Sequence, residues 1–421
     1  MRTRLISLTS LALSVVLSTV SGCTTLTRKN AVPLELSNQA EVAGMPGIRY
    51  RFFSHTGLEA MLTDLRARIE KERRANEKSL TKQSNFLSIS GGGDDGAFSA
   101  GLLTGWSERG DRPNFNLVTG VSTGALIAPF AFLGPDYDYV VKHVYTEVNQ
   151  EDVFIDDGLL GALFSDSIAD TTPLYRLIKQ YVTAELLKKI ADEYNVNNRW
   201  LLIATTNLDA GMPTLWNMGK LASVGTPEAL ELFRKILLAS SAVPGAFPPV
   251  MIDVEVDGKH YQEMHVDGGA SMEVFLYPAA VASEALHAKL LNPARDRQAY
   301  VIRNSRLDPQ WREIERKTLT IMGRAVSQLI QSQGYGDLQR IYLSTMRDHI
   351  GFNLAYIGPD FNEPHPEDFD RKYMTALYEY GRRLGKGGYP WAKTPPGFNH
   401  ALYDDVTAQV AREQKAFKAA Q

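Results

Sequence analysis

Gly120-Val121-Ser122-Thr123-Gly124 sets a serine between two glycines, with an apolar strand-like run before it (115–118) and an Ala/Leu/Ile-rich helical run after it (125–132). This is the setting of a nucleophile elbow. A sharp strand-to-helix turn lifts the serine hydroxyl out of the backbone, and the glycines remove Cβ atoms that would clash there. The chemistry implied is attack by Ser122 on an acyl carbonyl. A short pattern of common residues recurs by chance in a chain of 421 residues, so its surroundings must decide.

About thirty residues upstream, a usual βαβ spacing, Phe86-Leu87-Ser88-Ile89-Ser90 reads as a short buried strand. It runs into Gly91-Gly92-Gly93-Asp94-Asp95-Gly96 and then a helical pattern over 97–106. Consecutive glycines let backbone N–H groups turn toward one point, a geometry that binds anionic oxygen at a helix N-terminus. A Walker loop would require a Lys that is absent, and two aspartates inside the loop oppose a bound pyrophosphate. The loop therefore reads as an oxyanion hole built by Gly91, Gly92 and Gly93. The plainer alternative is a tight turn in which Asp94 or Asp95 caps the helix.

Two further blocks follow: Ala239-Ser240-Ser241-Ala242-Val243-Pro244-Gly245-Ala246-Phe247-Pro248-Pro249, and Val266-Asp267-Gly268-Gly269. Glycine loop, G-x-S-x-G, A-S-x-A-x-P…F-P-P and D-G-G, in this order, resemble the patatin-like phospholipase family over roughly residues 84–280, with weaker similarity around 331–338. The resemblance implies a catalytic dyad of Ser122 as nucleophile and Asp267 as proton acceptor. Gly120, Gly124, Gly268 and Gly269 would support it, and the glycine loop would supply the oxyanion hole. It also implies a lipid or acyl-ester substrate and needs no cofactor and no metal. One departure stands out. Family members commonly carry Arg or Lys before the last glycine of the loop, where this chain has Asp95. The resemblance thus supports an acyl ester hydrolase more firmly than a phospholipase.

A serine hydroxyl is a poor nucleophile until a base takes its proton, and a carboxylate serves if it is close and desolvated. A Ser-Asp-His triad is the rival arrangement, with His287, His349, His365 and His400 as candidates after Asp267. His265, two residues before Asp267, would share its face of a strand and reads as a buried polar neighbour.

Met1-Arg2-Thr3-Arg4, an apolar core over 5–20 and Val20-Ser21-Gly22-Cys23 form a secretory signal, and the tetrapeptide resembles a bacterial lipobox. Cys23, the sole cysteine, would carry the lipid and anchor the chain without a spanning helix. The expected location is the bacterial envelope, at the outer membrane facing the periplasm. With 44% hydrophobic and 22% charged residues and a net charge of −3, the chain suits one sizeable core and shows no basic excess for nucleic acid. The expected organisation is a signal peptide (1–22), a lipidated tether (23–33) and an extension with an amphipathic helix near 58–76 (34–83). A catalytic domain (84–310) and a mainly helical C-terminal region (311–421) ending in an amphipathic helix follow. Apolar runs at 199–206 and 300–304 between helical patterns predict a three-layer α/β fold around a mainly parallel sheet. The apolar, glycine-punctuated run 158–164 suggests either a lid over the acyl site or a turn of core helix.

Overall fold

A computed structural model describes residues 28–52, 54–75, 83–156, 167, 169–278, 296–308, 311 and 313–398. In chain order the elements are β1 (Arg49–Arg51), α1 (His55–Ala75), β2 (Gln83–Ile89), α2 (Gly96–Arg109), β3 (Leu117–Gly120), α3 (Thr123–Leu133), α4 (Asp138–Thr146) and α5 (Gln150–Val153). Then come β4 (Ile155–Asp156), β5 (Ala169–Asp170), α6 (Thr172–Tyr181), α7 (Ala184–Asn195), β6 (Trp200–Asn207), β7 (Met212–Asn217), α8 (Met218–Ala222) and α9 (Pro227–Ser240). The last are β8 (Val250–Val256), β9 (Lys259–Asp267), β10 (Asp296–Arg306), α10 (Thr318–Arg347), β11 (Gly351–Ile357) and α11 (Arg371–Gly387). Among them no helix is long and apolar enough to cross a membrane.

Nine of the strands form one mixed sheet in the order β1-β7-β6-β3-β2-β10-β11, with the β8–β9 hairpin joined to the end of β6, and β4 and β5 pair apart from it. The five strands from β6 to β11 along that order are mutually parallel, and β1, β7, β8 and β9 run antiparallel to their neighbours. Parallel strands are buried on both faces, so their side chains alternate between two apolar layers. Leu201 and Ile203 join the core under α2, α3, α7, α9 and α11, while Leu202 and Ala204 join a second cluster with Tyr50, Met61, Leu62 and Phe275. A third cluster packs Val301 and Leu354 against Leu338 and Ile341 of α10. The result is the α/β/α layering that the sequence pattern predicts.

The region after residue 310 holds a strand that the sequence reading did not single out. Its residues 351–357 form β11, which extends the central sheet beside β10 from Gln298↔Gly351 onward. A seven-residue apolar run between helices has no periodicity long enough to separate strand from helix. The same region supplies α11, which packs along α2. A Cβ on Gly101 or Gly105 of α2 would collide with the carbonyl oxygens of Tyr378 and Arg382, and one on Gly381 or Gly385 of α11 would collide with those of Phe98 and Leu102. Two facing rows of glycine thus let the helix backbones touch. Before the sheet, Arg28 and Lys29 are tied to the body by pairs with Asp209 (2.8 Å) and Asp253 (2.7 Å). Cys23, the 158–164 run, His287, His400 and the C-terminal amphipathic pattern lie outside the described residues. Of the described residues on either side of that run, β4 and β5 pair antiparallel through Ile155↔Asp170 and Asp156↔Ala169.

Candidate active site

Ser122 follows β3 after Val121 and occupies the N-cap position of α3, with φ 53° and ψ −126°. A non-glycine residue there carries about 1–3 kcal/mol of backbone strain, so the surroundings must hold it. They do so by hydrogen bonding. The Ser122 N–H donates to Ser240 Oγ (3.0 Å), and Ser240 Oγ donates to the Ala204 carbonyl (2.7 Å). The flanking glycines are demanded by close approach, since a Cβ on Gly124 would lie 2.6 Å from the Ser90 carbonyl oxygen. The hydroxyl therefore stands at the C-terminal ends of the parallel strands, with Ser122 7% exposed.

Asp267 ends β9, paired with Thr205 of β6. Its N–H donates to the Ala242 carbonyl (2.9 Å), and its Oδ1 accepts the Gly269 N–H (2.7 Å). The A-S-S-A-V-P block thus grips both residues, Ser122 through Ser240 and Asp267 through Ala242. Gly268 has no room for a side chain, because a Cβ would lie 2.7 Å from the Ala204 carbonyl oxygen. Asp267 Oδ2 is buried and has no hydrogen-bond partner of full geometry. Burial pushes this carboxyl up to about 7, against the Ser122 hydroxyl and the Gly269 N–H, which favour the anion. The pairing is therefore a serine hydroxyl next to a desolvated carboxylate whose one spare oxygen is available to take a proton.

The glycine loop stands opposite. Gly92 and Gly93 have φ 145° and 59°, a backbone that turns their N–H groups out of the ladder. Neither N–H has a hydrogen-bond partner among the described residues. Gly91 differs, and corrects the expectation that all three glycines serve an oxyanion. Its N–H already donates to the Glu273 carbonyl (3.1 Å). Its lack of a side chain makes room for the Glu273 carboxyl, whose Oε1 would lie 2.8 Å from a Cβ. The free donors are Gly92 and Gly93. Asn304 of β10 fixes the loop's base, its N–H donating to Ser90 Oγ (2.9 Å) and its Nδ2 to the Ser90 carbonyl (3.0 Å). Asp95 occupies the N-cap position of α2, but its side chain makes no capping hydrogen bond.

Residues 87–280 match the family model described as patatin-like phospholipase, a span that runs from β2 past the D-G-G turn. The chain carries a patatin-like phospholipase domain. Among solved structures it is similar to VipD from Legionella pneumophila at 11% identity, covering 73% of this chain and 67% of that one with a TM-score of 0.36. The search of curated proteins gives no match.

Part of what surrounds the patatin-like loop comes from outside the matched span. Asp94 Oδ2 accepts from His365 Nε2 (2.7 Å) and from the Phe369 N–H (2.8 Å), and Asp95 Oδ1 accepts from Tyr373 OH (2.6 Å). The His365 ring stacks on Tyr373 with centroids 4.0 Å apart. The hydrogen bond to Asp94 raises the His365 pKa against the effect of burial. Burial and the neighbouring Asp94 push Asp95 up to about 7. The acids that stand where the family carries a cation are therefore met by a histidine and a tyrosine from the C-terminal region. The one sequence signal for them was the unusual Asp94-Asp95 pair itself.

The triad candidates can be placed in turn. His265 is wholly buried, bonded to Thr205 Oγ1 (2.9 Å) and Glu263 Oε2 (3.1 Å), and serves a structural chain that continues through Glu263 to Arg49. His349 lies in the turn between α10 and β11 with φ 54°. His365 reaches the glycine loop rather than Ser122. Sequence reading passed over Glu273, a buried acid wedged between two glycine turns. A Cβ on Gly269 would lie 2.8 Å from its Oε2. Burial and the nearby Asp267 push its carboxyl up to about 8, against Arg303.

Proposed function

We propose that the chain is a serine acyl hydrolase of the patatin type that works with a Ser122–Asp267 dyad. Asp267 Oδ2 takes the hydroxyl proton as Ser122 Oγ bonds to the ester carbonyl carbon. The carbonyl oxygen becomes an oxyanion held by the Gly92 and Gly93 N–H groups. Collapse of this intermediate breaks the ester C–O bond, and the proton held by Asp267 passes to the departing alkoxide. Water then attacks the acyl-enzyme, giving its proton to Asp267, and the second collapse releases the carboxylic acid and restores Ser122. The family match supports a lipid acyl substrate. The observation that carries the reading is the unpartnered, buried Asp267 Oδ2 beside a serine held in strained geometry. Lipidation at Cys23 belongs to the same proposal. Arg28, bound to the body five residues after Cys23, would keep the anchor close to the domain.

Three measurements test it. A fluorophosphonate probe labels wild type and leaves Ser122→Ala unlabelled, while a panel of esters and lipids is hydrolysed by the first and not the second. Labelling that persists in Ser122→Ala contradicts the nucleophile. For the anchor, palmitate incorporation is lost in Cys23→Ser, and incorporation that survives the substitution contradicts it.

A further inference from the structure

Four large apolar side chains on the first half of α10 have no cover among the described residues. Ile321, Met322, Val326 and Leu329 are 51, 57, 42 and 70% exposed, and Trp311, just before the helix, is 88% exposed. At 3.6 residues per turn they fall within an arc of about 140°, with Thr320, Arg324 and Ser327 on the other side of the helix. Arg316 and Lys317 lead into it, and no Asp or Glu occurs from 316 to 336. Lys317 itself reaches Glu315 at 2.5 Å. Cations before the first turn, where the helix has no acidic residue, oppose the macrodipole, so this composition does not serve the stability of the helix.

The direction of α10 places this stripe. Gln331 accepts from Arg303 Nη2 (3.3 Å), and Asp337 Oδ2 accepts the Glu273 N–H (2.7 Å). Residues 331–337 therefore sit at the C-terminal end of β10, level with the D-G-G turn. From there the helix runs back to β11, which begins at Gly351 opposite Gln298 near the start of β10. The first half must lead the other way, outward past the strand ends that carry Ser122 and Asp267. At 1.5 Å per residue, Ile321 stands about 15 Å beyond Gln331. The Arg28–Asp209 pair lies at the same end of the sheet, just after β6. Ser122, on β3, lies between β6 and β10 in the strand order.

We propose that residues 311–330 form a docking face for an anionic lipid surface, which brings the Ser122 end of the sheet to the bilayer. Apolar side chains on one side, a basic excess over 311–330 (Arg312, Arg316, Lys317 and Arg324 against Glu313 and Glu315) and no acid from 316 onward fit the boundary between lipid headgroups and acyl chains. The choice of a lipid partner rests on the acyl hydrolase reading, but binding can be measured without turnover.

The test uses the full chain carrying Cys23→Ser, so that no acyl anchor contributes, and phosphatidylcholine vesicles with and without phosphatidylglycerol. The expected result is cosedimentation with the anionic vesicles that weakens in high salt. It should fall by about tenfold or more in Met322→Glu/Leu329→Glu. That variant should keep its melting temperature and its rate on a short soluble ester, because the replaced side chains are exposed. Ser122→Ala should bind vesicles like its parent, and a parent chain that binds vesicles but hydrolyses no ester or lipid overturns the hydrolase and leaves the docking face standing. Equal vesicle binding by parent and double-Glu chain overturns the proposal. So does a dimer in sedimentation that the double substitution dissociates while vesicle binding is unchanged, which would assign the face to self-association.

Discussion

Glu273 illustrates how tightly the reacting residues are held. Its carbonyl takes the Gly91 N–H, its N–H goes to Asp337, and its carboxyl fills the space left by Gly91 and Gly269. Its folded pKa of about 8 lies above the ordinary value of 4.5. The folded state thus keeps a proton that the unfolded chain has already released, and stability contributed below the unfolded value is lost as pH rises to about 8. Glu273→Gln is neutral at every pH. Its melting temperature should exceed that of wild type by a few degrees at pH 8–9, with the gap shrinking toward pH 5. A scan of melting temperature against pH checks this, and a constant gap would mean that the side chain acts through shape alone. The four motif blocks were legible because each is local and rich in glycine, serine and proline. The Gly91 N–H was misassigned because its acceptor, Glu273, lies far along the chain and no short pattern announces it.

The element that most needs explanation is α11 with the segment before it. It closes on α2 through glycine rows and on the glycine loop through His365 and Tyr373. Gly101→Ala or Gly385→Ala inserts a methyl group where backbones touch and should cost about 1–3 kcal/mol, seen as a lowered denaturant midpoint with an unchanged slope. His365→Ala removes one charge-assisted bond that is partly exposed to water. We expect kcat/KM to fall about five- to tenfold, with a smaller change in stability. Because Asp94 raises the histidine's pKa, the clamp is strongest below the ordinary value of 6.5 and weakens as pH rises past the raised one. The wild-type to His365→Ala rate ratio should therefore shrink at alkaline pH, and a ratio independent of pH would mean that the charge plays no part. Asp94 and His365 are 271 residues apart in sequence, which is why the spacing of motifs could not reveal their contact.

At the scale of the molecule, β11 and α11 make the C-terminal region part of the catalytic unit. The sheet loses its edge strand and α2 loses its partner if the chain stops at residue 310. Such a truncation should give insoluble or molten protein without esterase activity. A soluble, cooperatively melting and active 1–310 fragment would contradict this. The alternation of apolar faces made the three layers readable, since buried parallel strands and amphipathic helices leave distinct periods in sequence. β11 escaped notice because its seven residues are too few to carry a period, and the same shortness hides which side of a sheet edge it joins.

The central claim is that Asp267 serves as the base for Ser122, and the pH profile of kcat/KM on a short soluble ester tests it most directly. With the Asp267 carboxyl at about 7, the wild-type rate should rise as pH increases through that value and then level off. Asp267→Asn should lose about 10²–10⁴ of the plateau rate along with that ionisation, while remaining folded. An Asp267→Asn protein that keeps both the rate and the rise near pH 7, or an equal loss in a folded variant of His349 or His365, would contradict the dyad.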